Sequence, residues 1–258
     1  MNKLIDFWEK YIENLKKEQM PVAHPSDKIG KEYYYACKNF DDYIKLIKSP
    51  NIKFENRFHL GLIPIPYIGN IEKAEIYILM LNPGFGILDY YAESYDKELK
   101  DALINNLRQE LDNDYPFIFL NPKFLWHGGG QYYEKKFKWL IQEVKGTNSY
   151  AQKLSHIANK VAVLQLVPYH SKSYIHNHTI ELESSKIMCS FVKKELVPKT
   201  EDGDICIICP RGANYWENAT CNTKAFVCPD TPSRAGHISK NTFGEKNWEK
   251  IIMVLNKS

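Results

Sequence analysis

The sequence lacks any apolar run near the ~20 residues that a membrane-spanning helix needs, so no membrane partner is expected. Its N-terminus, Met1-Asn2-Lys3-Leu4-Ile5-Asp6, holds no signal-peptide core, which points to a cytoplasmic protein. Strong charge of one sign is also missing. A net +3 over 258 residues permits an anionic partner without requiring one. Internal repeats and low-complexity tracts are absent. There is no G-x-S-x-G, so His127-Gly128-Gly129-Gly130, which resembles the oxyanion loop of esterases, has no nucleophile elbow to serve. It reads instead as a flexible glycine turn.

Cysteine is present six times, but a chain of this length without an export signal does not suggest a disulfide framework. Cys206 and Cys209 have C-x-x-C spacing, with Cys221 and Cys228 downstream, which raises zinc or iron–sulfur. Asp204 to Cys209 nevertheless reads as a buried strand, where residues three apart point to opposite faces. Small apolar core thiols are the better reading. His176-x-His178 with His170 is too sparse a set for a metal cluster. No metal and no cofactor are expected.

What is present is a sequence of strands broken by helical segments. Hydrophobic residues make up 44% of the chain, enough for a sizeable core. Leu4, Ile5, Trp8, Tyr11, Ile12 and Leu15 have the spacing of an amphipathic helix, and helical periodicity returns over 31–48. Pro64, Pro66 and Gly69 make 61–70 a rigid, turn-rich approach to the first core strand. Ile76 to Leu81 is an unbroken apolar run of strand length that stops at Asn82-Pro83-Gly84. Proline fixes φ and removes a donor, so the strand cannot continue. Helices are expected near 93–112, 132–144, 149–159, 180–196 and 244–256. Three further strands, 161–167, 205–209 and 225–228, also run into a proline: Pro168, Pro210 and Pro229.

Alternating strands and helices predict parallel pairing through right-handed crossovers. The expected fold is a three-layer α/β/α sandwich on a central, mainly parallel four-stranded sheet. A helical extension (1–60) precedes an α/β domain (61–258) that carries a helical insertion about 90–145. In such a sheet every carboxyl end lies on one edge, where ligands bind. Polar and aromatic residues after each strand would meet there.

Two of these loops carry a resemblance. Leu81-Asn-Pro-Gly-Phe-Gly86 after the first core strand, and Thr231-Pro-Ser-Arg-Ala-Gly236 after the last, resemble the water-positioning and DNA-wedge motifs of the uracil-DNA glycosylase superfamily. The first is closest to the Asn-Pro-Gly form of its mismatch-specific and single-strand-selective branches. The resemblance implies hydrolysis of a base–deoxyribose bond after the nucleotide leaves the stack, a step costing a few kcal/mol. It implies DNA as partner; the sequence leaves the oligomeric state open, with a monomer the favoured expectation.

Residue roles follow from the same resemblance. Asn82 would orient the attacking water. Phe85 would be the floor for a flipped base, or else a core aromatic. Gln165, conspicuous in an apolar strand, stands where single-strand-selective relatives carry a base-reading Asn. Tyr169 and His170 would face the cleft after Pro168, with Tyr169 stacking on the base or gating the pocket. Thr231 replaces the His of several branches, so His237 or His170 would supply the imidazole. Arg234 would be the wedge, and Arg211, Ser233 and Lys240 would neutralise phosphates, giving salt-sensitive affinity. A silent DNA- or protein-binding module, and a glycosylase acting on modified phage bases in defence, are the alternatives.

Overall fold

The computed structural model describes residues 3–17, 22–49, 57–174, 182–220, 225–230 and 236–257. The chain is α/β and divides into two units. The first comprises Met1–Pro66, Leu81–Glu110 and Gln165–Met188; the second comprises Tyr67–Met80, Leu111–Leu164 and Cys189–Ser258.

In the first unit the amphipathic N-terminal pattern becomes helix Lys3–Lys17, which buries Leu4, Phe7, Trp8, Tyr11 and Ile12. It packs on helix Lys97–Arg108. The helix expected over 31–48 forms only at Phe40–Ile47, where the Asn39 side chain caps it by accepting the Asp42 N–H at 3.0 Å. Ahead of it, strand β1 (Tyr34–Tyr35) pairs in parallel with β2 (Phe58–His59). Successive aromatic rings suit a pleated strand better than a helix, which accounts for the difference. The helix expected over 93–112 is two, Ile87–Tyr95 and Lys97–Arg108. Asp96 separates them: its carboxylate accepts the Leu99 N–H at 3.0 Å and caps the second.

The sheet belongs to the second unit, apart from Gln165 at the end of β5. It has five strands and is mixed, where four mainly parallel strands were expected. Its order is β3 (Tyr67–Ile68), β5 (Val161–Gln165), β4 (Ile76–Met80), β6 (Cys206–Ile208), β7 (Phe226–Val227). β4 with β6 and β6 with β7 are parallel; β3 runs antiparallel to β5, with Tyr67 opposite Leu164. The added strand lies inside the proline-rich approach and is two residues long, too short to show alternation. In β4, Ile76, Tyr77, Ile78 and Leu79 are fully buried, each contributing about 1.5–3 kcal/mol.

Helix Lys240–Leu255 packs on β4, on β6 and on helix Gly128–Glu143, which in turn packs on helix Tyr150–Lys160. The last helix starts earlier than the expected 244, and Gly244, at φ 73°, interrupts it. That left-handed backbone favours glycine, and the Asp230 carboxylate occupies the place a Cβ would take. No helix among the described residues is long and apolar enough to cross a membrane.

Candidate functional site

Asn82 follows the end of β4 by two residues and is half-buried. Its Nδ2 donates to the Pro83 carbonyl at 2.9 Å, to the Ser171 carbonyl at 3.2 Å and to Ser171 Oγ at 3.0 Å. Carbonyl oxygens only accept, so the nitrogen must face them. The amide orientation is thereby fixed, with Oδ1 outside these three contacts. Ser171 is fully buried, and its hydroxyl donates to the Ser173 carbonyl at 2.8 Å, which leaves its lone pairs for Asn82. The Ser171 N–H donates to the Pro83 carbonyl at 3.3 Å, and His170 Nδ1 lies 2.8 Å from the Gly84 carbonyl. Because that carbonyl only accepts, Nδ1 carries the hydrogen. Residues 82–84 and 170–171 are stitched together, and the Asn82 rotamer is locked by its neighbours.

Phe85 has one ring face covered. His59 stacks on it at 3.6 Å between centroids and 9° between planes. Tyr43 meets the same ring edge-on at 5.5 Å and stacks on Tyr90 at 4.9 Å. Of the two roles expected for Phe85, core packing describes that face, so a base would have to use the other. His59 is buried, and burial, followed by the neighbouring His170, pushes its pKa down to about 3. It is a neutral ring at ordinary pH.

Tyr169 does not face a cleft. It is buried, its hydroxyl donates to Asp27 Oδ2 at 2.6 Å, and it accepts the His24 N–H at 2.9 Å. Asp27 Oδ1 accepts the Ser184 N–H at 2.9 Å, so Tyr169 braces three segments of the first unit. Burial and the Asp27 carboxylate raise its pKa well above the usual phenol value. The expected stacking or gating role is replaced by a structural one. Gln165 is the last residue of β5 and is 1% exposed. Its backbone N–H donates to the Pro66 carbonyl at 2.8 Å, but Oε1 has no hydrogen-bond partner among the described residues. Such a buried orphan costs about 1–3 kcal/mol.

Other expected site residues belong to the second unit. Arg211 is exposed and follows β6; its side chain lies along Gly236, where a Cβ would come within 3.2 Å of its Cγ and Nε. His237 is half-buried. Lys240 is exposed and ion-paired with Glu245 at 2.6 Å, which raises its pKa and occupies the charge expected to meet phosphate. Thr231, Ser233 and Arg234 lie outside the described residues, as do His176, His178 and Cys221.

Three residues escaped the sequence reading. His59 gave no signal, being a single His in an apolar stretch. Ser171 directly follows Tyr169 and His170, and nothing else in the sequence marks it. Lys136 did leave a trace: Tyr133, Lys136, Phe137 and Leu140 share the apolar face of helix Gly128–Glu143, and a lysine interrupts it. Its Nζ donates to the Gly236 carbonyl at 2.7 Å, and burial, with the Arg211 charge, lowers its pKa to about 7.

The glycines after His127 are not a flexible turn but the first turn of that helix, with His127 as its cap: Nδ1 accepts the Gly129 N–H at 3.1 Å. A Cβ at Gly129 would lie 2.7 Å from the Phe119 ring, and one at Gly130 2.5 Å from the Phe124 carbonyl. Close packing accounts for Gly129 and Gly130, whereas a Cβ at Gly128 would meet nothing within 4 Å. Cys206 and Cys209 are buried thiols, and burial pushes Cys206 up to about 12. Among the described residues no group of three or more His, Cys, Asp or Glu is placed to hold a metal.

No protein-family model matches the chain, and no curated protein and no solved structure shows significant similarity to it.

Proposed function

We propose that the chain is a monofunctional DNA glycosylase of the uracil-DNA glycosylase type, acting as a monomer on a uracil-like or otherwise modified base. The observation that carries this reading is the clamped Asn82 amide after a buried strand, with Nδ2 held by Ser171 and Pro83. Oδ1 would accept a hydrogen bond from a water aimed at C1′ of the sugar. An amide is too weak a base to deprotonate that water early, so the sugar–base bond breaks first. The base leaves as an anion, the water adds to the sugar cation, and its proton passes to solvent or base. The products are the free base and an abasic sugar. Positioning, rather than base strength, is the main contribution in such a scheme. Gln165 Oε1, buried and without a hydrogen-bond partner among the described residues, suits a donor on the base edge. The residues expected to donate to the departing base (His237 or Thr231) and to meet phosphate (Arg234, Ser233 and Arg211) belong to the second unit, and those roles rest on the resemblance alone.

The silent binding module is the second reading. It is favoured by the covered face of Phe85, by the burial of Tyr169 and by the Lys240–Glu245 pair. Single-lesion oligonucleotides, including uracil and hypermodified phage bases, separate the two. A glycosylase leaves alkali-labile abasic sites, whereas a module retains or releases every strand intact. Cleavage confined to phage bases would assign the defence role.

A further inference from the structure

We infer that Lys136, Arg211 and Tyr132, gathered around Gly236, form an anion subsite for a phosphate group, and that in the glycosylase reading it takes a backbone phosphodiester. This rests on that reading only for the identity of the ligand.

The site has a buried member and a surface member. Lys136 is 3% exposed and Arg211 is exposed, yet both reach Gly236: Lys136 through the carbonyl at 2.7 Å, Arg211 along the α-carbon. Tyr132, one helical turn before Lys136, is 39% exposed, and its ring centroid is 5.6 Å from Lys136 Nζ. An ammonium has three donors, and here one carbonyl accepts from it. No carboxylate among the described residues pairs with Lys136.

Capping the Gly236 carbonyl is the simpler explanation for Lys136. A neutral donor would cap it equally well, whereas burial works against a charge on the lysine and drives it toward the neutral amine. A second cation nearby adds to it, as the lowering of the Lys136 pKa by Arg211 indicates. An anion removes both penalties at once. It would also draw a proton onto Lys136, because this amine is only partly charged near neutral pH.

Proton uptake is therefore the test. Calorimetry at pH 7.5, in two buffers of different ionisation enthalpy, would use an unmodified single-stranded oligonucleotide and, separately, sulfate. Neither probe titrates there. The wild type should bind the oligonucleotide with uptake of roughly half a proton or more. In Lys136→Met the uptake should vanish and binding weaken about tenfold, with an unchanged circular dichroism spectrum. Arg211→Gln should weaken binding and reduce the salt slope by about one; if Lys136→Met does not fold, this variant and the wild-type buffer comparison decide. Binding without uptake in the wild type, or no binding of either probe, overturns the subsite and leaves base excision to be judged separately. Uptake that depends on Lys136 in a protein that excises no base keeps the subsite and removes the glycosylase reading.

Discussion

At the scale of single residues, Ser171 and Pro83 occupy the Asn82 nitrogen, so in the glycosylase reading Oδ1 is the atom that would meet the water. Gln165 poses the opposite case, a buried carbonyl with no partner among the described residues. If Oε1 is kept for a ligand, stability and activity should part. Gln165→Met should leave the melting temperature unchanged or higher, since removing an unsatisfied polar atom is neutral or stabilising, while KM rises about tenfold or more. A clear loss of stability would mean that Oε1 serves the fold. His59 gives a pH prediction. Its folded pKa, about 3, lies below the ordinary 6.5, so the unfolded chain takes up the proton first. The contribution is complete above pH 6.5 and is lost as pH falls toward 3. Glu93 works the other way: burial raises its carboxyl to about 8, partly offset by the Ile63 N–H, so its contribution is lost as pH rises through 8. The carboxyl is crowded by protein although the residue keeps part of its surface open. Because the two overlap, His59 is best isolated by comparison with His59→Phe, which keeps the stack on Phe85. Between pH 7.5 and 5, urea unfolding should show the wild type losing about 2 kcal/mol relative to that variant. A constant difference would contradict a buried neutral ring.

Elements were legible where one local signal dominated. β4 and β5 were plain because buried, β-branched runs stopped at prolines, and helix Lys3–Lys17 was plain from its apolar spacing. The segment 31–48 misled because its aromatics fit both periods, and pairing with β2, far along the chain, decided for a strand at Tyr34–Tyr35. The expected 180–196 helix runs as Glu183–Phe191, then a wider π turn, Val192–Leu196, before Val197–Glu201. Pro198 has no N–H to offer the preceding turn, a constraint that periodicity does not display. The glycines after His127 suggested motion, yet their lack of side chains allows close packing. Gly130→Ala tests this. Its Cβ would press on the Phe124 carbonyl and Leu125 Cα, backbone atoms that cannot swing aside. A loss of about 1–3 kcal/mol in chemical denaturation is expected, whereas a flexible turn would tolerate alanine.

For the whole molecule, alternating strands and helices were enough to give an α/β chain, but not the mixed sheet. A two-residue antiparallel strand inside a proline-rich approach leaves no pattern to read. The candidate site divides in the same way. Asn82 stood out because a strand ended on it, while Ser171, 89 residues away, and His59 became partners only through the fold. The mild net charge neither argues for nor against a polyanion, so the functional claim depends on Asn82. The most direct measurement is base release from single-lesion oligonucleotides, followed by alkali, for wild type and Asn82→Ala side by side. The account predicts strand breaks at one lesion class with the wild type, and at least a hundredfold fewer with a folded Asn82→Ala. Equal cutting by both proteins, or none by the wild type on any lesion, would contradict it.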